Sequence, residues 1–209
     1  MLEARTLAYR YGKQHSWLFD DLDLQITAGE IVGMSAPSGR GKSTLAKVLA
    51  GYLPPAKGSV MVDGLPLPSS GHCPVQLLFQ HPELAVNPRW KVAKILQEGE
   101  EPSAELRQDL GIEPAWLDRY PHELSGGELQ RVCLARALSS GTRYLLCDEM
   151  TSMLDALTQA HIWRIILNIA QSRRLGLLVI SHDTTLIAKI CSRNISYFED
   201  TAIMSNSRI

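Results

Sequence analysis

An α/β fold is predicted, with a mostly parallel sheet at its core, an antiparallel β layer before it and a helical subdomain inserted into it. Three observations predict it. Short apolar strands alternate with helical patterns over residues 30–50 and 143–191, the signature of strand–helix crossovers onto one sheet. The first 26 residues alternate apolar and polar side chains without a helical stripe. Residues 82–140 change to short helical patterns broken by Pro88, Pro102, Pro114 and Pro121.

Taken in order, residues 6–11 and 23–26 read as half-buried strands punctuated by Gly12 and Ala28-Gly29. Residues 30–35 form a short apolar strand that runs through a Gly-rich turn into a helix over 42–50, where Leu45, Val48 and Leu49 share one face. Pro54 and Pro55 make residues 51–58 a turn, after which 59–62 and 75–79 resume strand character. Residues 143–148 are a nearly unbroken apolar run ending in acid, as a buried parallel strand with a functional carboxyl end requires. A long amphipathic helix follows over 154–174, with Leu154, Leu157, Ile162, Ile165, Ile166 and Ile169 as its stripe and His161 placed on that stripe as a structural residue. Residues 175–180 are a further buried strand and 184–191 a further helix. At 209 residues, one domain over 1–209 is expected, with 1–81 and 141–209 forming the core and its β layer and 82–140 the helical subdomain.

Charge and composition exclude several functions. With 21 basic and 22 acidic side chains the formal charge is −1, so no global field favours nucleic acid, and no nucleic-acid partner is expected. The acidic cluster Glu98, Glu100, Glu101 and Glu105 reads as a solvated face. No apolar run approaches the roughly 18 residues needed to cross a bilayer. The first residues lack the pattern of a secretory signal, which gives a cytosolic expectation. Cys73, Cys133, Cys147 and Cys191 are far apart, so they read as reduced structural thiols.

Two stretches carry chemistry. Residues 36–43, Ala36-Pro37-Ser38-Gly39-Arg40-Gly41-Lys42-Ser43, followed by Thr44, fit the Walker A pattern at every position but the first, where Ala36 stands for Gly. Pro37 pushes the residue before it to extended geometry, which alanine accepts, so the loop is expected to survive the change. Such a loop aims backbone N–H groups and a helix N-terminus at an anion, while the Lys42 amine reaches the β and γ phosphates and the Ser43 hydroxyl reaches Mg²⁺. Asp148 and Glu149 then close the apolar strand in Walker B fashion: one carboxylate holds the hydrated Mg²⁺ and the other orients and deprotonates water.

Residues 124–131, Leu124-Ser125-Gly126-Gly127-Glu128-Leu129-Gln130-Arg131, make the reading specific. They resemble the signature motif of ABC ATPases, a Ser-Gly-Gly turn at the start of a helix expected from about residue 128. The resemblance covers essentially the whole chain, from Leu2 to about Ile203, and implies a P-loop NTPase core that binds and hydrolyses ATP with Mg²⁺. It implies that Ser125, Gly126 and Gly127 face the γ-phosphate held by a second ABC ATPase subunit, an identical chain or a paralogue. Gln80 is similar to the Q-loop glutamine that contacts the metal and water region, and His182 to the switch histidine. Ser152-Met153-Leu154-Asp155 resembles the D-loop. Tyr11 matches the aromatic that stacks on adenine, with Tyr9 as the neighbouring candidate on the same strand face.

Residues 79–89 and 119–127, with Asn87-Pro88-Arg89 and Tyr120-Pro121-His122-Glu123, look most like the ATPases of peptide and nickel importers. That branch usually continues well past the length of this chain, which tilts the expectation toward a nickel or metal-chelate importer. The implied translocase would sit peripherally on the cytoplasmic face of the inner membrane, against integral membrane permease subunits. The alternative is a non-transport ABC ATPase serving as an accessory or regulatory module of another complex.

Overall fold

The computed structural model describes residues 1–35 and 39–198. It contains strands β1 (Leu2–Tyr9), β2 (Phe19–Ile26) and β3 (Ile31–Met34), helix α1 (Lys42–Leu49), and strands β4 (Lys57–Val62), β5 (Leu65–Pro66) and β6 (Val75–Leu78). Helices α2 (Val92–Leu96), α3 (Ala104–Asp109) and α4 (Gly126–Ala137) follow, accompanied by three 3₁₀ turns. The chain continues through β7 (Tyr144–Asp148), α5 (Ala156–Arg173), β8 (Gly176–Ile180), α6 (Thr184–Ile190) and β9 (Arg193–Ile195). β2-β1-β4-β5 form an antiparallel sheet, and β6-β7-β8-β3-β9 form a parallel one.

Strand alternation explains how the layers stack. On β7, Leu145 and Cys147 join an apolar cluster with α2, α4 and α5, whereas Tyr144 and Leu146 point into a second cluster with α1 and the antiparallel sheet. β8 divides in the same way, Leu177 and Val179 to the first cluster and Leu178 and Ile180 to the second. The parallel sheet is therefore covered on both faces, which is why its strands read as unbroken apolar runs.

β1 carries a distortion that fixes the register of the antiparallel layer. Its pairing with β4 shifts between Arg5 and Ala8, and Thr6 sits at φ +48° with its N–H donated to Asp23 Oδ1 at 2.6 Å. Opposite, Gly58 has φ +81°, and a Cβ built on it would lie 2.3 Å from the Arg5 carbonyl oxygen. Both the backbone conformation and the closeness of that carbonyl demand glycine there. Gly58→Ala should lose about 3 kcal/mol of stability. The check is a lowered urea midpoint with an unchanged denaturant slope.

Several expectations need correction. β1 ends at Tyr9 rather than at residue 11, because its pairing with β2 stops at Tyr9–Phe19 and the Leu18 N–H then closes the loop onto the Tyr9 carbonyl. Tyr9 and Tyr11 are thus not alternating residues of one strand. β2 starts at Phe19, four residues earlier than its pattern suggested. α4 starts at Gly126 because Ser125 captures the helix end in a capping box with Glu128. On α5, full burial begins only at Ile162, so Leu157 is 84% exposed. His161 is exposed too, its Nε2 3.0 Å from the Asp109 carbonyl oxygen. The acidic cluster is exposed but engaged: Glu98 pairs with Arg136 at 2.7 Å, and Glu100 accepts the Ser140 N–H at 2.8 Å.

Candidate functional site

The parallel register brings four strand ends to one level. Met34 and Asp148 both pair with Ile180, and Leu78 pairs with Cys147. The Gly-rich loop after β3, Gln80 after β6, Glu149 after β7 and His182 after β8 therefore emerge along one carboxyl edge, where open α/β sheets bind ligands.

At that edge lies a cleft of about 390 Å³ lined by Tyr11, Leu18, Gly39, Gly41, Lys42, Ser43, Thr44, Gln80 and Glu149. Gly41 precedes α1 at φ +99°, a left-handed turn that glycine adopts freely, and no side chain caps the helix start. A helix start of this kind can bind an anion at its first-turn amides, with the positive end of the helix behind them. Lys42 is buried at 6% exposure. Desolvation lowers its pKa, against the opposing pull of the Glu149 and Asp148 carboxylates. Asp148 is also 6% exposed, and burial raises its pKa while the Ser43 hydroxyl, bonded to it, draws it back. An amine, a hydroxyl and a carboxylate are thus set side by side.

Glu149 holds φ +48°, an uncommon conformation for a side-chain-bearing residue, with its N–H donated to the Ile180 carbonyl at 3.0 Å. This turn aims its carboxylate along the edge: Oε2 accepts from Gln80 Nε2 at 3.3 Å, and Oε1 lies 3.6 Å from His182 Nδ1. Gln80 Nε2 also approaches Ser152 Oγ at 3.4 Å. The structure thereby gathers Gln80, Glu149 and His182, which are 69 and 33 residues apart in sequence, into one polar cluster.

Of the two aromatic candidates, Tyr11 lines the cleft. It is 52% exposed, its hydroxyl is 2.9 Å from Thr44 Oγ1, and its ring stands edge-on to Tyr9 at 5.3 Å. Tyr9 instead stacks on Phe19 at 6.1 Å. Arg40 is half-buried and does not line the cleft; Ser38 and Ala36 lie outside the described residues.

Ser125, Gly126 and Gly127 do not line the cleft either. The Ser125 N–H donates to Glu128 Oε2 at 2.6 Å and its hydroxyl accepts the Glu128 N–H at 3.3 Å, which presents a helix N-terminus to the outside. Hydrogen bonds from the Ser125 backbone and side chain hold the Glu128 carboxyl below its ordinary pKa. Sequence reasoning passed over Gln130, a 2% exposed residue on α4 whose Nε2 donates to the Phe79 carbonyl at 3.5 Å, one residue before Gln80. It also passed over Trp163, whose indole N–H reaches Thr151. Gln130 was readable as part of residues 124–131; nothing local marks Trp163 as other than core.

A family profile described as "ABC transporter" matches residues 19–152. The chain is similar to a probable D,D-dipeptide transport ATP-binding protein of Escherichia coli, 35% identical over 192 residues, which covers 86% of this chain and 60% of the relative. It is similar to the nickel import ATP-binding protein of the same organism, 35% identical over 199 residues, covering 86% and 74%. Among solved structures, a dimeric bacterial ABC transporter cassette aligns with TM-score 0.77 at 22% identity over 93% of both chains. A dimeric post-hydrolysis state bound to ADP and Pi aligns with TM-score 0.74 at 22% identity, covering 89% of this chain and 90% of that one. At those identities the structures establish the fold alone.

Proposed function

Because the chain belongs to the ABC transporter family, we propose that it is the ATP-binding and ATP-hydrolysing subunit of an importer. The observation that carries the proposal is the meeting of Lys42, Asp148, Glu149, Gln80 and His182 along one carboxyl edge of the parallel sheet.

Lys42 and the first-turn amides of α1 hold the β and γ phosphates, and Tyr11 supports the adenine. Ser43, Asp148 and Gln80 present oxygen donors, the hard set that Mg²⁺ takes alongside water. Bound there, the metal would neutralise phosphate charge as it develops. Glu149 orients and deprotonates the attacking water, and His182 stabilises the charge growing on the γ-phosphate. The core and β layer (1–81, 141–209) supply this half of the machinery, and the helical subdomain (82–140) supplies the Ser125 turn for a second cassette. Residues around Gln80 dock the membrane permease and report the state of the nucleotide to it.

No helix among the described residues is long and apolar enough to cross a membrane. In this reading the permease is a separate chain and this one sits peripherally against it, as the similarity to a nickel import ATP-binding protein supports. The relatives that import nickel and transport D,D-dipeptides support a solute of those classes, a metal chelate or a short peptide. Phosphate release by the purified chain, alone and with its co-purifying permease, tests the reading. Turnover should need MgATP and stop when EDTA removes the metal. Absence of hydrolysis in both preparations, or hydrolysis that persists in EDTA, would overturn it.

A further inference from the structure

The turn that carries Glu149 is held from behind by a residue far from the cleft. The Ser152 N–H donates to the Glu149 carbonyl at 3.0 Å and the Leu154 N–H to the Thr151 carbonyl at 3.0 Å, so two overlapping turns follow β7 with Thr151 at their junction. Thr151 is 4% exposed and Trp163, on the buried face of α5, is 5% exposed. The Trp163 Nε1–H donates to Thr151 Oγ1 at 3.3 Å. Below the catalytic edge these two residues share a cavity of about 130 Å³ with Glu149, Ser152 and His182. An indole is a bulky choice for a helix face that Ile and Leu could fill; its N–H needs a partner when buried, and here the partner is on the turn.

We infer that Trp163 is a positioning residue for ATP hydrolysis, acting through Thr151 to hold the left-handed turn at Glu149 and the Ser152 hydroxyl beside Gln80. This rests on Glu149 being the residue that activates water. The strained φ of Glu149 persists only if its surroundings over-determine it, and the Trp163–Thr151 bond ties that turn directly to the core helix. Losing it lets the carboxylate drift relative to Gln80 and His182, and misplacement by a fraction of an ångström slows a reaction that depends on alignment.

Kinetics of the full chain decide it. Thr151→Val keeps the side-chain shape and Trp163→Phe keeps an aromatic ring at the cost of a small gap, and each removes one partner; each should lower kcat about tenfold while leaving KM and the affinity for MgATP within about twofold. Thr151→Ser keeps the hydroxyl and should retain near wild-type kcat. The double variant Trp163→Phe, Thr151→Val should be no slower than either single, because one bond is lost once. Wild-type kcat in Trp163→Phe, a parallel loss of nucleotide affinity, or multiplicative losses in the double variant would overturn the inference. If Trp163→Phe fails to fold, the contrast between Thr151→Val and Thr151→Ser decides alone. Glu149→Gln separates the two readings: full turnover there removes the catalytic assignment itself, whereas an inert Glu149→Gln beside a fully active Trp163→Phe removes only this inference.

Discussion

Glu149→Gln will bind MgATP as the parent chain does and hydrolyse it about a thousandfold more slowly. The substitution keeps the volume and the hydrogen-bonding reach of the side chain, so Gln80 and His182 retain a polar neighbour on the strained turn. What it removes is basicity. Lys42, the α1 amides and the Ser43–Asp148 pair are untouched, and these are the groups proposed to grip phosphate and metal. Single-turnover phosphate release measured beside equilibrium nucleotide binding separates the two quantities. Wild-type turnover in this variant would move the role of base elsewhere along the edge; loss of binding would mean that Glu149 serves the ligand rather than the water.

The parts of the site readable from sequence are those in which chemistry and backbone geometry are written contiguously. Gly39-Arg40-Gly41-Lys42-Ser43 lies between an apolar strand and an amphipathic helix, so the candidate phosphate loop is readable from the sequence itself. Asp148 and Glu149 were legible for the same reason, at the end of a run too apolar to be anything but buried. Gln80 and His182 are single residues whose meeting with Glu149 depends on strand order β6-β7-β8, a property of the sheet that no local pattern encodes. Their assignment rested on resemblance.

The failures also have physical causes. Tyr11 was read onto a strand because alternation continues past Tyr9, whereas the loss of β2 as a partner is what ends pairing there. Leu157 completes a helical stripe on paper, yet it stands 84% exposed in the first turn of α5, where Asp155 caps the helix through the Leu157 and Thr158 N–H groups. β5 and β9 are two and three residues long, too short for periodicity to register. The Trp163–Thr151 bond joins an apolar-looking helix to a loop hydroxyl, and the indole N–H is invisible to any apolar count.

The Ser-Gly-Gly turn stands apart from the cleft of its own chain, and that separation gives the sharpest expectation about assembly. Gly126 is exposed, has an ordinary φ, and would meet nothing within 4 Å if given a Cβ. An aspartate there sits in the first turn of α4, where the helix dipole favours a negative charge, so Gly126→Asp should fold as the parent does. The isolated chain should also keep its affinity for MgATP, since residues 125–127 contribute nothing to the 390 Å³ cleft. Turnover should nevertheless fall about a hundredfold, because the new carboxylate would face the γ-phosphate bound by the opposing cassette and repel it. ATP-dependent dimer formation, followed by light scattering, should vanish with it. Unchanged turnover would mean that the turn grips no nucleotide; weakened binding by the monomer would mean that it grips the nucleotide of its own chain.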